Sequence, residues 1–109
     1  MAHSEAVAER VRKTLKRRKG VTERKMFGGL SFLLNGNMCC GVIDSNIVLR
    51  LGERGAEKAL EERHVAEMDF TGTPLASMVY LRPAGYESDE DLKRWIGRAV
   101  RFTKTLPAK

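Results

Sequence analysis

The sequence predicts an α+β fold, an antiparallel β-sheet of four or five strands with helices packed mainly on one face. The predicted elements run α-β-β-β-β-α-β-α, without the strand-helix alternation that builds a parallel sheet. An Asn-Gly pair, Asn35-Gly36, separates two apolar runs, which is typical of a tight hairpin. The 109 residues are 42% hydrophobic and 31% charged, which suits one soluble globular domain spanning residues 1–109.

The first predicted element is a surface helix. Ser4 is a plausible N-cap, and apolar residues then recur at every fourth position: Val7, Val11 and Leu15. Lys16 to Lys19 are expected in the last turn, where positive charge suits the helix dipole. Gly20 is expected at the C-cap.

The strands follow directly after this helix. Gly28-Gly29 predicts either a tight turn or a bulge that bends one long strand, and both remain open. Asp44 to Asn46 predicts a second turn after the Asn35-Gly36 hairpin. The strands expected around these breaks are Val21–Met26, Leu30–Leu34, Met38–Ile43 and Ile47–Leu51.

The second half predicts two helices, a loop and one strand. A helix is expected from Glu53 to Arg63, a loop from Val65 to Pro74 and a strand from Leu75 to Leu81. The first of these helices has a thin apolar side, Ala56, Ala59 and Leu60. Ser88 and Asp91 resemble a capping box that opens the last helix. Its core-facing stripe is Leu92, Trp95, Ile96, Ala99 and Val100, opposite the basic residues Lys93, Arg94, Arg98, Arg101 and Lys104.

Charge is distributed unevenly along the chain. Residues 1–25 hold nine basic and three acidic residues, 44–91 hold five and eleven, and 92–109 hold six and none. If the two basic ends meet in the fold, they make one positive face. A set of basic side chains is therefore expected to contact nucleic acid or a partner: Lys13, Lys16, Arg17, Arg18, Lys19, Arg94, Arg98 and Arg101.

The chemistry-bearing residues favour no enzyme class. Strand alternation places the adjacent Cys39 and Cys40 on opposite faces, one buried as a small hydrophobe and the other more exposed. His3 and His64 lack partners at metal-ligand spacing, and His64 is expected at a helix C-terminus. No phosphate-binding glycine loop is present. We therefore predict a non-enzymatic protein with no cofactor, no metal and no small-molecule substrate.

Location follows from the same composition. No apolar run approaches the roughly 20 residues that span a bilayer, and residues 1–19 lack the apolar centre of a signal peptide. Two cysteines do not form a disulfide framework. We expect a cytoplasmic protein that does not enter a membrane.

A family resemblance rests on the stretch Arg24-Lys25-Met26-Phe27-Gly28-Gly29. It continues through Asn35-Gly36-Asn37 and Gly41-Val42, then Ile47 to Arg50, and through Met68-Asp69-Phe70 to the strand Met78 to Leu81. From about Glu5 to Thr105 the chain resembles the N-terminal domain of the TfoX/Sxy family. We expect the signature residues to determine the fold: Arg24, Met26, Phe27, Gly28, Gly29 and Gly36.

The resemblance implies a curved antiparallel sheet with helices on one side. The founding members of the family are bacterial regulators of DNA-uptake competence that act with a transcription activator of the cyclic-AMP receptor type. They carry a second, C-terminal domain that this sequence does not include. The resemblance therefore implies a regulatory or adaptor domain that binds a protein, either a transcription regulator or a second copy in a homodimer. The alternative is a nucleic-acid-binding module that uses the basic first and last helices.

Overall fold

The computed structural model describes residues 4–26, 28–68 and 76–108, with the side chain of Met26 excepted. Within these residues three helices and six strands make an α+β fold, as predicted, and the sheet has one strand more than the upper limit of the expected four or five. In chain order they are α1 Glu5–Leu15, β1 Val21–Met26, β2 Gly29–Leu34, β3 Asn37–Ile43, β4 Asn46–Arg50, α2 Gly52–Ala59, β5 Val65–Glu67, β6 Met78–Leu81 and α3 Asp89–Thr103, with a short 3₁₀ turn at Pro83–Gly85 before α3.

The six strands form one antiparallel sheet in the order β1-β2-β3-β4-β6-β5. Leu34 pairs with Asn37, and the two residues between them have positive φ, 53° at Asn35 and 85° at Gly36. This is the tight hairpin that the Asn-Gly pair predicts. Met26 pairs with Gly29, so the chain reverses between them and Gly28 belongs to a tight turn rather than to a bulge.

A bulge does occur, in β3, at a position that the sequence does not mark. Phe32 pairs with Cys40 but the next residue, Leu33, pairs with Met38, which leaves Cys39 without a partner on β2. The extra residue breaks the alternation of side chains along β3. Cys39 and Cys40 therefore both enter the main core, 1% and 0% exposed. The prediction of one buried and one more exposed cysteine is wrong for this reason.

The main core lies between the sheet and the helices. α3 packs on β3 and β4, α1 packs on α3 and β3, and α2 packs on β6. The predicted stripe of α3 is entirely buried, with Trp95 2% exposed at its centre. A smaller apolar cluster comes from the alternate strand positions, and it comprises Met38, Val48 and Met68 with Ile43, Met78 and Tyr80 packed against them.

Both predicted ends of α1 can be compared with the structure. Ser4 is the N-cap, because its Oγ accepts the Val7 N–H at 3.3 Å. The helix ends at Leu15, so Lys16 to Lys19 lie beyond its last turn rather than within it. Gly20 is not the C-cap. It has a φ of 82° where the chain enters β1, and its carbonyl accepts the Asn35 N–H at 3.0 Å.

The segment after α2 differs most from prediction. α2 ends at Ala59 instead of Arg63, and Leu60, expected on its apolar side, is 37% exposed. His64 is not at the helix terminus; it lies in a turn with a φ of 68°, which aims the chain into β5. β5 begins at Val65, inside the predicted loop, and β6 begins at Met78 rather than Leu75. Residues 69–75, which contain the rest of the predicted loop and the first residue of the predicted strand, lie outside the described residues.

Candidate functional site

A cationic groove lies between α1 and α3. It encloses about 610 Å³ and is lined by Lys13, Thr14, Lys16, Arg17 and Lys93. Burial of α1 through Val11 and Leu15, and of α3 through Leu92, fixes the walls of the groove. We call these five lining residues the α1–α3 groove. It brings the end of the first helix beside the start of the last.

The charges of the α1–α3 groove are uncompensated within the described part of the chain. Lys13, Lys16, Arg17 and Lys93 form no ion pair with any described acidic residue. Thr14 contributes no free proton, because its hydroxyl donates to the Arg10 carbonyl at 2.9 Å. Four cations around one concave surface give it a positive potential, which attracts negatively charged groups.

One end of the groove is formed by an ion pair. Asp89 and Arg10 line an adjoining depression of about 320 Å³ together with Lys13, Thr14 and Lys93. Arg10 pairs with Asp89 at 3.2 Å and also lies 5.4 Å from the centre of the Tyr86 ring. The positive surface is therefore bounded on this side by a paired carboxylate.

Other basic residues of the predicted set lie elsewhere. Arg98 Nη1 donates to Glu62 Oε2 at 2.8 Å, and Arg94 Nη2 donates to Asp91 Oδ1 at 3.3 Å. Both guanidinium groups also stack on the Trp95 ring, 5.2 Å (Arg94) and 4.4 Å (Arg98) from its centre. Arg94 and Arg98 are thus engaged on a different side of α3 from Lys93. Arg18 and Lys19 are exposed after α1, and Arg101 is exposed on α3.

Arg12 is basic but fully engaged. It donates to Glu23 from Nε at 2.7 Å and to Glu5 from Nη1 at 2.6 Å, and it contacts Glu9 at 3.4 Å. The hydrogen bond to Glu23, followed by that to Glu5, holds the pKa of the guanidinium above its ordinary value. Its charge holds α1 to β1 and is not available to a partner.

Cys39 and Cys40 form a buried pair of adjacent thiols. A hydrogen bond from the Cys40 thiol lowers the pKa of Cys39, while burial opposes it. The same contact, together with burial, raises the pKa of Cys40 well above its usual value. Thr103 and the charges of Arg18 and Arg50 also lower the pKa of Cys39. Both cysteines are free thiols.

Two further properties can be stated for the part of the chain that the structure describes. No three His, Cys, Asp or Glu side chains within 4–26, 28–68 and 76–108 come together in a way that could hold a metal ion. Among the same residues, no helix has both the length and the apolar character needed to cross a bilayer.

Comparison with known families identifies the chain. A family model described as the TfoX N-terminal domain matches residues 13–103, nearly the whole sequence. The chain belongs to the TfoX N-terminal domain family. The parallel comparisons give no significant match to a curated protein or to a solved structure.

In this TfoX N-terminal domain the signature residues lie in and beside the β1–β2 hairpin. Arg24 is exposed on the edge strand, where it pairs with Ser31. Gly28 has a φ of 74°, and Gly36 has a φ of 85° in the next turn. An added Cβ at Gly29 would lie 2.3 Å from the Val42 carbonyl oxygen. The Met26 side chain and Phe27, which we expect to help determine the fold, lie outside the described residues.

Two groove residues were missing from the predicted contact set. Thr14 and Lys93 line the α1–α3 groove, whereas the sequence emphasises Arg94 and Arg98. Lys93 follows the buried Leu92 and lies at the border of the apolar stripe of α3. This position beside the stripe could have indicated that Lys93 lies near a neighbouring element. The sequence does not show that the neighbouring element is α1, because that depends on tertiary packing.

Proposed function

We propose that this protein is a non-enzymatic regulatory or adaptor domain that acts by binding another protein. The observation that carries this proposal is the match of residues 13–103 to the TfoX N-terminal domain family. That family is not a known enzyme family. The uncompensated cations of the α1–α3 groove supply a surface on which a partner could bind.

The finer form of the proposal concerns the partner and the cellular setting. We propose a bacterial, cytoplasmic domain whose partner is a transcription regulator or a second copy of the chain, with a role related to competence. The resemblance of the Arg24 to Gly29 signature to the family of competence regulators supports this setting. The two free, buried cysteines are compatible with a reducing compartment.

Affinity capture tests the proposal. The tagged protein is immobilised and incubated with bacterial lysate at low and at moderate ionic strength, and retained proteins are identified by mass spectrometry. Each retained regulator is then purified and its binding is measured by calorimetry, with sedimentation of the domain alone reporting self-association. We expect a stoichiometric complex with a transcription regulator or with a second copy. Failure to reconstitute either complex from purified components would contradict the proposal.

Nucleic-acid binding stays a second candidate function, favoured by the concave set of four uncompensated cations. It would use fewer residues than the sequence suggests, because Arg94 and Arg98 contact Glu62, Asp91 and Trp95. Titration of duplex DNA and RNA at two salt concentrations tests it. Binding with no salt dependence, or no binding at low salt, would exclude this candidate.

A further inference from the structure

We propose that the α1–α3 groove is the partner-binding surface and that its occupant is an acidic polypeptide segment of the partner protein. The inference rests on the proposed function and adds to it the site and the chemistry of recognition. Four cations surround the groove, and none is paired within the described residues. A segment with several Asp or Glu side chains would supply the missing counter-charges.

Ion pairs neutralise cations on both sides of the groove. Arg12 is bound to three carboxylates on the β1 side of α1. On the far side of α3, Glu62 and Asp91 engage Arg94 and Arg98. What remains between the two helices is Lys13 and Arg17, one helical turn apart, with Lys16 and Lys93 beside them. Such a patch suits a few carboxylates on one short segment.

The surroundings of the groove favour a polypeptide over nucleic acid. Among the described residues no aromatic side chain lines the groove, and Phe32, Trp95 and Tyr86 are buried, at 1%, 2% and 4% exposed, so the groove has no ring on which bases could stack. The Arg10–Asp89 ion pair closes one end of the groove, and the neighbouring Glu87 and Glu90 are exposed. A continuous polyanion that ran through this end would meet the like charge of Glu87 and Glu90. A polypeptide can end its acidic run there and present neutral or basic side chains instead.

The experiment measures binding of two labelled probes of equal net charge, an oligoglutamate peptide and a short DNA duplex, by fluorescence anisotropy at matched ionic strength. The test variants are Lys13→Gln with Arg17→Gln, and Lys93→Gln alone. The control is Arg54→Gln with Lys58→Gln. It removes one Arg and one Lys at the same four-residue spacing, from exposed positions on α2 that do not line the groove.

We expect the peptide to bind the unmodified protein more tightly than the duplex. We expect its affinity to fall about tenfold in the α1 double variant, and by a smaller factor in Lys93→Gln. The control should change the affinity by less than about twofold, because it alters only the net charge. Circular dichroism confirms that all variants are folded.

Three results would overturn the inference. These are tighter binding of the duplex than of the peptide, an equal loss of affinity in control and test variants, and no peptide binding at low ionic strength. The outcome is separable from that of the proposed function. If the α1 double variant and Lys93→Gln still form the complex found by affinity capture with unchanged affinity, the groove inference fails and the adaptor function stands.

Discussion

Arg12 donates its Nε–H to Glu23 Oε2 at 2.7 Å, and this contact links α1 to the edge strand β1. The same guanidinium donates to Glu5 on its own helix at 2.6 Å. β1 contacts the sheet only through β2, because it is the first strand of the order. The ion pair therefore holds the helix against a strand that has one hydrogen-bonded neighbour.

Replacement of Arg12 by Gln should lower the midpoint of thermal unfolding at low ionic strength. The decrease should shrink as salt is added, because the contacts are exposed and salt screens them. Lys13→Gln is the matched control, since Lys13 is adjacent and forms no ion pair among the described residues. Equal, salt-independent decreases in both variants would show that the Arg12 contacts do not stabilise the fold.

Gly29→Ala should destabilise the protein much more than Gly28→Ala. A Cβ at Gly29 would lie 2.3 Å from the Val42 carbonyl oxygen, so a paired strand must move, at about 3 kcal/mol or more. A Cβ added at Gly28 would meet no described atom beyond its chain neighbours within 4 Å, so only the φ of 74° opposes a side chain, at about 1–2 kcal/mol. Urea denaturation measures both changes. Similar losses would contradict the close approach of Gly29 to β3.

Cys40→Ser should be more destabilising than Cys40→Ala. Alanine leaves a small void at a fully buried position, which costs about 1 kcal/mol. Serine fills more of the space but buries a hydroxyl group, at about 1–3 kcal/mol where it finds no partner. Equilibrium unfolding in urea gives the order. A serine variant as stable as the unmodified protein would indicate an unsuspected hydrogen-bond acceptor at this site.

The free energy of unfolding should fall as the pH rises above about 8.5, where an unfolded thiol ionises. The contact with Cys39 and burial raise the pKa of Cys40, so the folded thiol keeps its proton while the unfolded one loses it. Burial likewise raises the pKa of Tyr86, which extends the loss above about 10. The lowered pKa of Cys39 acts in the opposite direction.

Because the two thiols titrate together, the comparison is the double variant Cys39→Ala with Cys40→Ala across the same pH series. Cys40 has its pKa raised well above the ordinary value, so removal of the pair should flatten the decrease in stability between about pH 8 and 10. Urea unfolding at each pH supplies the free energies. A steeper or unchanged slope in the variant would show that other groups control the alkaline loss.

Asn37→Ala should loosen the segment that follows α3. Asn37 is 4% exposed, and its Nδ2–H donates to the Pro107 carbonyl at 2.8 Å. Loss of this bond should cost about 1 kcal/mol and accelerate proteolytic cleavage after Thr103. Limited proteolysis followed by mass spectrometry locates the cleavage. Asn46→Ala, in the next strand, is the comparison. Cleavage at the same rate in both variants would show that the bond does not hold the segment.

Sequence reasoning predicted the elements whose signals are local. Asn35 and Gly36 both have positive φ, as the two central residues of a tight hairpin turn must. Ser88 accepts the Asp91 N–H at 3.0 Å, and the apolar stripe that follows is long and strictly periodic. Neither feature needs knowledge of a distant residue. The hairpin and α3 were therefore predictable.

The remaining features depend on distant contacts. The bulge at Cys39 arises from pairing with Phe32 and Leu33, and nothing within β3 announces it. β5 has only three residues, and pairing with β6 stabilises it where its own strand propensity would not. Prediction of the α1–α3 groove requires knowledge of where α1 ends, at Leu15, and of which side of α3 packs against its neighbours. A list of basic residues could not separate Lys93 from Arg94.

The separation of charge along the groove has a kinetic consequence. Uncompensated cations lie at Lys13, Arg17 and Lys93, while the exposed carboxylates of Glu87 and Glu90 lie at and just before the start of α3. Such an arrangement gives the domain an electric dipole, and the field of this dipole orients the two molecules relative to each other before any contact forms. Complexes made through this surface should then associate at rates that fall steeply with ionic strength, while their dissociation rates change little.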